Sequence, residues 1–285
     1  MRSKLFVPGT RPELFGKALA SGADALSFDL EDAVARERKA EGRETVAEWL
    51  KQTCPAGAPL IIVRVNAIDS DHFGGDLAAL VPAGLAVVNV PKLESADEVR
   101  EVVERLERLE REHGRTDPVT ILANIETPRG LRLAADIATA HPRVIALQIG
   151  FGDLFEPFGI DRAQEGALAA VRFAVRMAAA EAGIPAYDGA FVGVEDQDGY
   201  RRECETARRF GFAGKSCIHP RQIAIANEVF GPSALEIERA RRVLAAAEEK
   251  LGAGVGAFTL DGDMVDEPFI ARARAILTAA GEISR

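Results

Sequence analysis

The chain has 285 residues, 47% of them apolar, with 35 Lys and Arg against 44 Asp and Glu, a formal charge of −9. The apolar share supplies a sizeable core and excludes intrinsic disorder. The acidic balance disfavours binding to a phosphate backbone, so nucleic acid is not an expected partner, although a locally basic pocket on an acidic protein can still take a small anion.

No apolar run approaches the roughly 20 residues of a membrane span, and the opening Met1-Arg2-Ser3-Lys4-Leu5-Phe6 lacks the apolar core of a secretion signal. Cys54, Cys204 and Cys217 form a sparse, odd set without a Cys-x-x-Cys, which offers neither a disulfide framework nor a zinc site. The expected setting is a reducing cytoplasm, with no membrane association.

In chain order, short apolar runs fall at Lys4–Pro8, Ala25–Leu30, Leu60–Val65, Ala86–Val90, Val119–Ile125, Val144–Ile149, Ala190–Val192 and Gly214–Ile218. Most are continuous rather than alternating, as parallel strands read when both faces are covered. Segments of helical period lie between them at Pro12–Ser21, Glu37–Leu50, Ser95–Glu112, Arg162–Ala182, Gln197–Phe210 and Arg221–Val229. Ser95 and Glu98 have capping-box spacing. Eight strands alternating with helices predict an α/β fold, a (β/α)8 TIM barrel over residues 1–230. The alternative, an open doubly wound sheet, lacks a Gly-x-Gly-x-x-Gly after its first strand. Residues 231–285 predict a C-terminal helical extension: a helix over Pro232–Leu251, a turn at Asp261-Gly262-Asp263 and a helix over Pro268–Ala280.

In such barrels the chemistry sits at the C-terminal ends of the strands. The second run ends in Asp29-Leu30-Glu31-Asp32, acids that suit either helix capping or a site. The third ends in Val63-Arg64-Val65, where an arginine among valines needs an acidic partner or an anionic ligand. Lys92 ends the fourth run and is read as paired with an acid, with a Schiff base at Lys92 or Lys215 as the competing reading. Glu126 and Asp153, 27 positions apart, end the fifth and sixth runs. Adjacent strand ends lie about 5 Å apart, and two carboxylates there without histidine suit Mg2+. Helix capping by Glu126 and an Asx turn at Asp153 are the structural alternatives. Gly150 and Gly152 would let backbone N–H groups approach an anion. His219 either lines the pocket or closes a turn.

Taken together, Arg2-Ser3-x-Leu5-Phe6-Val7-Pro8-Gly9, Asp29-Leu30-Glu31-Asp32, Val63-Arg64-Val65-Asn66, Pro91-Lys92, Ile125-Glu126-Thr127-Pro128, Gly152-Asp153-Leu154, Gly214-Lys215 with Ile218-His219-Pro220, and Asp261-Gly262-x-Met264-Val265-Asp266 resemble the citrate lyase β-subunit and malyl-CoA lyase family along nearly the whole chain. The resemblance implies a homotrimeric barrel enzyme that uses Mg2+ to cleave a 3-hydroxyacyl thioester. It implies Glu126 and Asp153 as metal ligands, Arg64 and Gly152 as contacts to the α-keto acid half, and Lys17 as a coenzyme A contact. Asp29 and Asp32 would support them. Asp266 would be an acid/base that reaches a neighbouring subunit's site. The expected reaction is retro-aldol cleavage of citryl-CoA, or of citryl on an acyl carrier protein, to oxaloacetate and acetyl thioester. Malyl or citramalyl substrates, thioester hydrolysis, and work inside a citrate lyase complex are the open alternatives.

Overall fold

The computed structural model describes residues 1–52, 57–252 and 256–283; Cys54 lies outside them. The chain divides into two compact units, Met1–Glu228 and Val229–Arg285.

The first unit is a closed barrel of eight parallel strands in sequence order: β1 (Ser3–Pro8), β2 (Ala25–Asp29), β3 (Leu60–Arg64), β4 (Val87–Val90), β5 (Thr120–Ile125), β6 (Val144–Ile149), β7 (Ala186–Asp188) and β8 (Gly214–Cys217). β8 closes on β1 through Ser3 opposite Lys215. Between them run α1 (Phe15–Leu19), α2 (Lys39–Leu50), α3 (Phe73–Leu80), α4 (Ala96–Glu112), α5 (Pro128–Arg132), α6 (Ala134–Thr139), α7 (Phe151–Phe155), α8 (Glu165–Glu181), α9 (Gln197–Arg209) and α10 (Arg221–Phe230).

α4 shows how the outer ring forms. Val99, Val102, Val103, Leu106 and Leu109 recur on one face and are buried, each contributing about 1.5–3 kcal/mol of apolar burial. Ser95 caps the helix by accepting from the Glu98 N–H, and the Glu98 carboxylate returns to the Glu94 N–H at 2.6 Å, so the expected capping box reaches one residue further back.

The barrel interior changes character along its axis. Ala25, Ile62, Val87, Leu122, Ala146 and Tyr187 form an apolar layer. Two residues further along the strands, on the same face, stand Arg64, Asn89, Asn124 and Gln148, all but Arg64 nearly completely buried. A polar floor is thus laid on an apolar plug.

The structure moves the seventh strand. The expected run Ala190–Val192 is a loop with Val192 77% exposed, and the strand is Ala186–Asp188. Asp188 hid it: a fully buried acid reads as non-strand, but Arg172 of α8 and Lys215 of β8 satisfy it. α3, α5, α6 and α7 lie outside the expected helices: all are short, and α3, α5 and α7 carry Gly or Pro.

The second unit contains α11 (Ala234–Gly252), a hairpin of β9 (Phe258–Leu260) and β10 (Asp263–Val265), and α12 (Glu267–Ala279). Asp261 and Gly262 turn the hairpin with φ of 54° and 88°, the left-handed pair that a tight hairpin requires. Its core is Ala240, Val243, Ala247, Val265, Ile270, Ala273 and Leu277.

Candidate active site

A cavity of about 490 Å³ opens at the C-terminal end of the barrel. Arg64, Glu126, Gly152 and Asp153 line it, with Asp32 at the rim.

Arg64 is the most heavily bound group. Its Nε and Nη2 donate to the two oxygens of Asp29 at 2.8 and 2.7 Å, the geometry offered by a register that sets Asp29 opposite Arg64. Nη1 lies 2.8 Å from Glu31 and 3.1 Å from Asp32, so every guanidinium nitrogen has a carboxylate partner. Asp29, 1% exposed, also accepts from the N–H groups of Glu31 and Ala33. Although burial alone would raise its pKa, the Arg64 hydrogen bonds and charge bring it below the usual carboxylate range. Lys39 donates to the carbonyls of Leu30 and Glu31 and pins the same loop.

Lys92 bridges the two acidic groups. Its ammonium lies 2.9 Å from Glu31 and 3.2 Å from Asp153. These partners outweigh its desolvation and raise its pKa. It is therefore paired, and a protonated Lys92 is a poor Schiff-base amine. Its backbone has φ of 53°, and its N–H donates to Glu126 Oε1 at 2.9 Å.

Glu126 stands one residue beyond β5 and is 1% exposed. Thr127, not Glu126, caps α5 by accepting from the Gly130 N–H, so the carboxylate is free for the cavity. Oε2 accepts from Asn124 Nδ2 at 3.3 Å; Asn124 in turn accepts from Asn89, and Asn89 from the buried ammonium of Lys4. Burial, then the charges of Glu31 and Asp153, push the Glu126 pKa up to about 8, against the pull of Arg64. Burial and the charge of Arg64 pull Lys4 well below its ordinary value. Gly150 is required here: a Cβ on it would fall 2.0 Å from Glu126 Oε2.

Arg64, Lys92 and Lys39, with the Lys4 amine beneath them, thus stand among five carboxylates: Asp29, Glu31, Asp32, Glu126 and Asp153. That excess of negative charge around a buried carboxylate whose Oε2 holds only a 3.3 Å hydrogen bond fits a divalent cation. Among the described residues no set of three or more Asp, Glu, His and Cys side chains converges on a metal position, so a cation would take at most two protein carboxylates and leave its other positions to water and substrate.

The remaining expected residues have settings of their own. Lys17 is exposed on α1 and is not a lining residue of the cavity. Asp266 belongs to the second unit, at the start of α12; its side chain does not cap the helix, and Oδ1 is buried without a partner. His219 accepts from the Arg221 N–H and closes a turn. Lys215 is buried outside the lining, paired with Asp188 and Glu203. Sequence reasoning missed the Glu31 bridge and the Lys4–Asn89–Asn124 line. Their only signal was polar residues inside apolar runs, Val-Val-Asn89-Val and Leu-Ala-Asn124-Ile.

A closed parallel barrel with an arginine and carboxylates gathered at its strand ends defines the class: an α/β barrel with a charged cavity at its C-terminal face. The sequence pattern of the HpcH/HpaI aldolase/citrate lyase family matches residues 2–220, and the chain belongs to that family. It is 37% identical over 281 residues to the citrate lyase subunit beta of Leuconostoc mesenteroides subsp. cremoris, covering 98% of this chain and 93% of that protein. It is 38% identical over 287 residues to a (3S)-malyl-CoA thioesterase of Cereibacter sphaeroides, covering 99% and 95%. The crystal structure of protein CitE from Mycobacterium tuberculosis in complex with magnesium, acetoacetate and coenzyme A superposes with a TM-score of 0.79 at 34% identity, covering 99% of this chain and all of that one. Among the described residues no helix is long and apolar enough to cross a membrane.

Proposed function

We propose that this chain is a Mg2+-dependent carbon–carbon lyase that cleaves a 3-hydroxyacyl thioester, citryl-CoA or citryl on an acyl carrier protein, into oxaloacetate and acetyl thioester. The observation that carries the reading is the buried, uncapped Glu126 carboxylate facing the same cavity as Asp153, within an excess of negative charge. Family membership and the magnesium and coenzyme A of the Mycobacterium structure support it.

Glu126 and Asp153 would hold the cation, which when bound acts as a Lewis acid on the substrate hydroxyl or ketone oxygen. Arg64, held rigidly by Asp29 and reached by Asp32, presents positive charge to the keto-acid half as it forms. The Gly152 N–H, in the first turn of α7 and without an intrahelical acceptor, faces the substrate carboxylate. Retro-aldol cleavage removes the carbinol hydroxyl proton, breaks the bond between the carbinol carbon and the thioester α-carbon as the ketone forms, and leaves an enolate that takes up a proton. Asp266, whose carboxylate is not spent on capping α12, would act from a neighbouring copy in a homotrimer, taking up the hydroxyl proton and returning it to the enolate carbon. Exposed Lys17 contacts the coenzyme A moiety. The protein works in the cytoplasm, alone or with the other subunits of a citrate lyase.

The similarity to a malyl-CoA thioesterase gives a second reading, hydrolysis of a malyl-type thioester at the same site. Turnover of citryl, malyl and citramalyl thioesters with Mg2+ and identification of products decides between them. The lyase yields α-keto acid plus acetyl thioester, while the hydrolase yields the free hydroxy acid. Unimpaired turnover by Glu126→Ala or in excess EDTA would overturn both.

A further inference from the structure

Arg64 is surrounded by acids, but another arginine on the same cavity is not. Arg162, in the loop before α8, lines the site cavity and stacks on the Phe151 ring, 4.4 Å from guanidinium carbon to ring centroid. It belongs to a buried cluster in which three cations, Arg162, Arg172 and Lys215, share two carboxylates, Asp188 and Glu203. Asp188 spends both oxygens on Arg172, at 3.0 and 3.1 Å, and one also on Lys215 at 2.6 Å. Glu203 Oε2 lies 2.8 Å from Lys215 and 3.5 Å from Arg172. Arg162 is left with Glu203 Oε1 at 3.6 Å, beyond a hydrogen bond, and the Ala190 carbonyl at 3.2 Å. Its Nη1 is buried with no acceptor. Glu156 lines the same cavity but is exposed and makes none of the cluster's ion pairs.

The cavity floor carries matching vacancies in its hydrogen bonding. Gln148, 3% exposed and opposite Asn124 in the strand register, has no hydrogen-bond partner at its side-chain oxygen, and Ser216, 1% exposed, has none at its hydroxyl. Buried polar groups are nearly always paired, and an uncompensated buried cation is costlier still. The Arg162 N–H and the Ser216 hydroxyl call for an acceptor, and Gln148 joins them once its amide turns to present Nε2 in place of its unpaired oxygen.

We infer that Arg162, with Gln148 and Ser216, forms an anion subsite for a second carboxylate of the substrate, so the cavity is built for a dicarboxylic keto acid rather than glyoxylate. This rests on the lyase reading above and deepens it. The keto-acid end occupies Arg64, Glu126 and Asp153, and the distal carboxylate turns the Arg162 guanidinium toward itself.

Oxaloacetate and pyruvate differ by that carboxylate alone, so calorimetric titration of the Mg2+-loaded protein with each, freshly dissolved, isolates the subsite. Wild type is expected to bind oxaloacetate more tightly. Arg162→Gln should lower the oxaloacetate-over-pyruvate ratio by about tenfold or more and leave pyruvate unchanged. The variant leaves two cations on two carboxylates, a balanced cluster that should fold. Arg162 also borders a second cavity of about 550 Å³ with residues of α8 and α9, so Gln148→Leu provides the second probe and should lower the same ratio. Unchanged ratios in both variants, or equal loss of both acids, would overturn the subsite. So would loss of coenzyme A binding alone in Arg162→Gln, which would assign the anion to the carrier's phosphates. If wild type with Mg2+ binds neither acid, the lyase reading itself fails.

Discussion

Replacing Gly150 with alanine tests the site through a single methyl group. The added Cβ would meet Glu126 Oε2 at 2.0 Å, its Cβ at 2.6 Å and its Cδ at 3.0 Å. Ordinary contact is about 3.5 Å, so the carboxylate must retreat by roughly 1.5 Å or the β6 end must shift. Magnesium holds its oxygens at about 2.0–2.1 Å in near-ideal octahedral geometry, and a retreat of that size removes Glu126 as a ligand. Disturbing the support of a metal ligand typically weakens binding by about 10–100-fold, and overpacking costs about 1–3 kcal/mol of stability. Calorimetric titration with Mg2+ and thermal unfolding of Gly150→Ala measure the two effects. Gly16→Ala is the control, because a Cβ there has nothing within 4 Å; in a helix it should be neutral or stabilising. Wild-type Mg2+ affinity in a folded Gly150→Ala protein would refute the placement of the metal on Glu126.

Further outcomes follow from the same geometry. Arg64→Ala leaves Asp29 and Glu31 buried without their main cation and should destabilise the fold by about 3–5 kcal/mol, read by chemical denaturation; a loss under 1 kcal/mol would contradict the ion-pair account. Between the ordinary carboxyl pKa near 4.5 and about 8, folded Glu126 keeps a proton that the unfolded chain has released, so metal-free stability should fall as pH rises through that window. Saturating Mg2+ should remove the fall, and Glu126→Gln should abolish it; unfolding midpoints across pH 5 to 8.5 check both. Mixing inactive Asp266→Ala chains with inactive Glu126→Ala chains should restore partial activity if Asp266 serves a neighbour's site, and no recovery after proven subunit exchange would count against that role.

Much of this architecture is legible in the chain. The barrel and its strand ends follow from continuous apolar runs, because strands covered on both faces leave little else in their sequence. Glu126, Asp153 and Arg64 are visible because charge at such ends has few structural uses. What the sequence hides is pairing. Nothing in Asp29-Leu30-Glu31-Asp32 says that Asp29 grips Arg64 with both oxygens while Glu31 turns to Lys92. The seventh strand is hidden because Asp188 looks too polar to be interior until Arg172 and Lys215 are brought to it by distant elements. Arg162 was overlooked for the same reason: one arginine among many in sequence, it becomes distinctive only when its neighbours' carboxylates are seen to be committed elsewhere.

The position of the cation is the claim on which the rest depends. Crystals grown with Mn2+ in place of Mg2+ would locate it directly by anomalous scattering. The account predicts a single peak in the barrel cavity about 2.0–2.2 Å from one carboxylate oxygen each of Glu126 and Asp153, and none in Glu126→Ala crystals. A peak held by other residues, or one that survives the loss of Glu126, would contradict it.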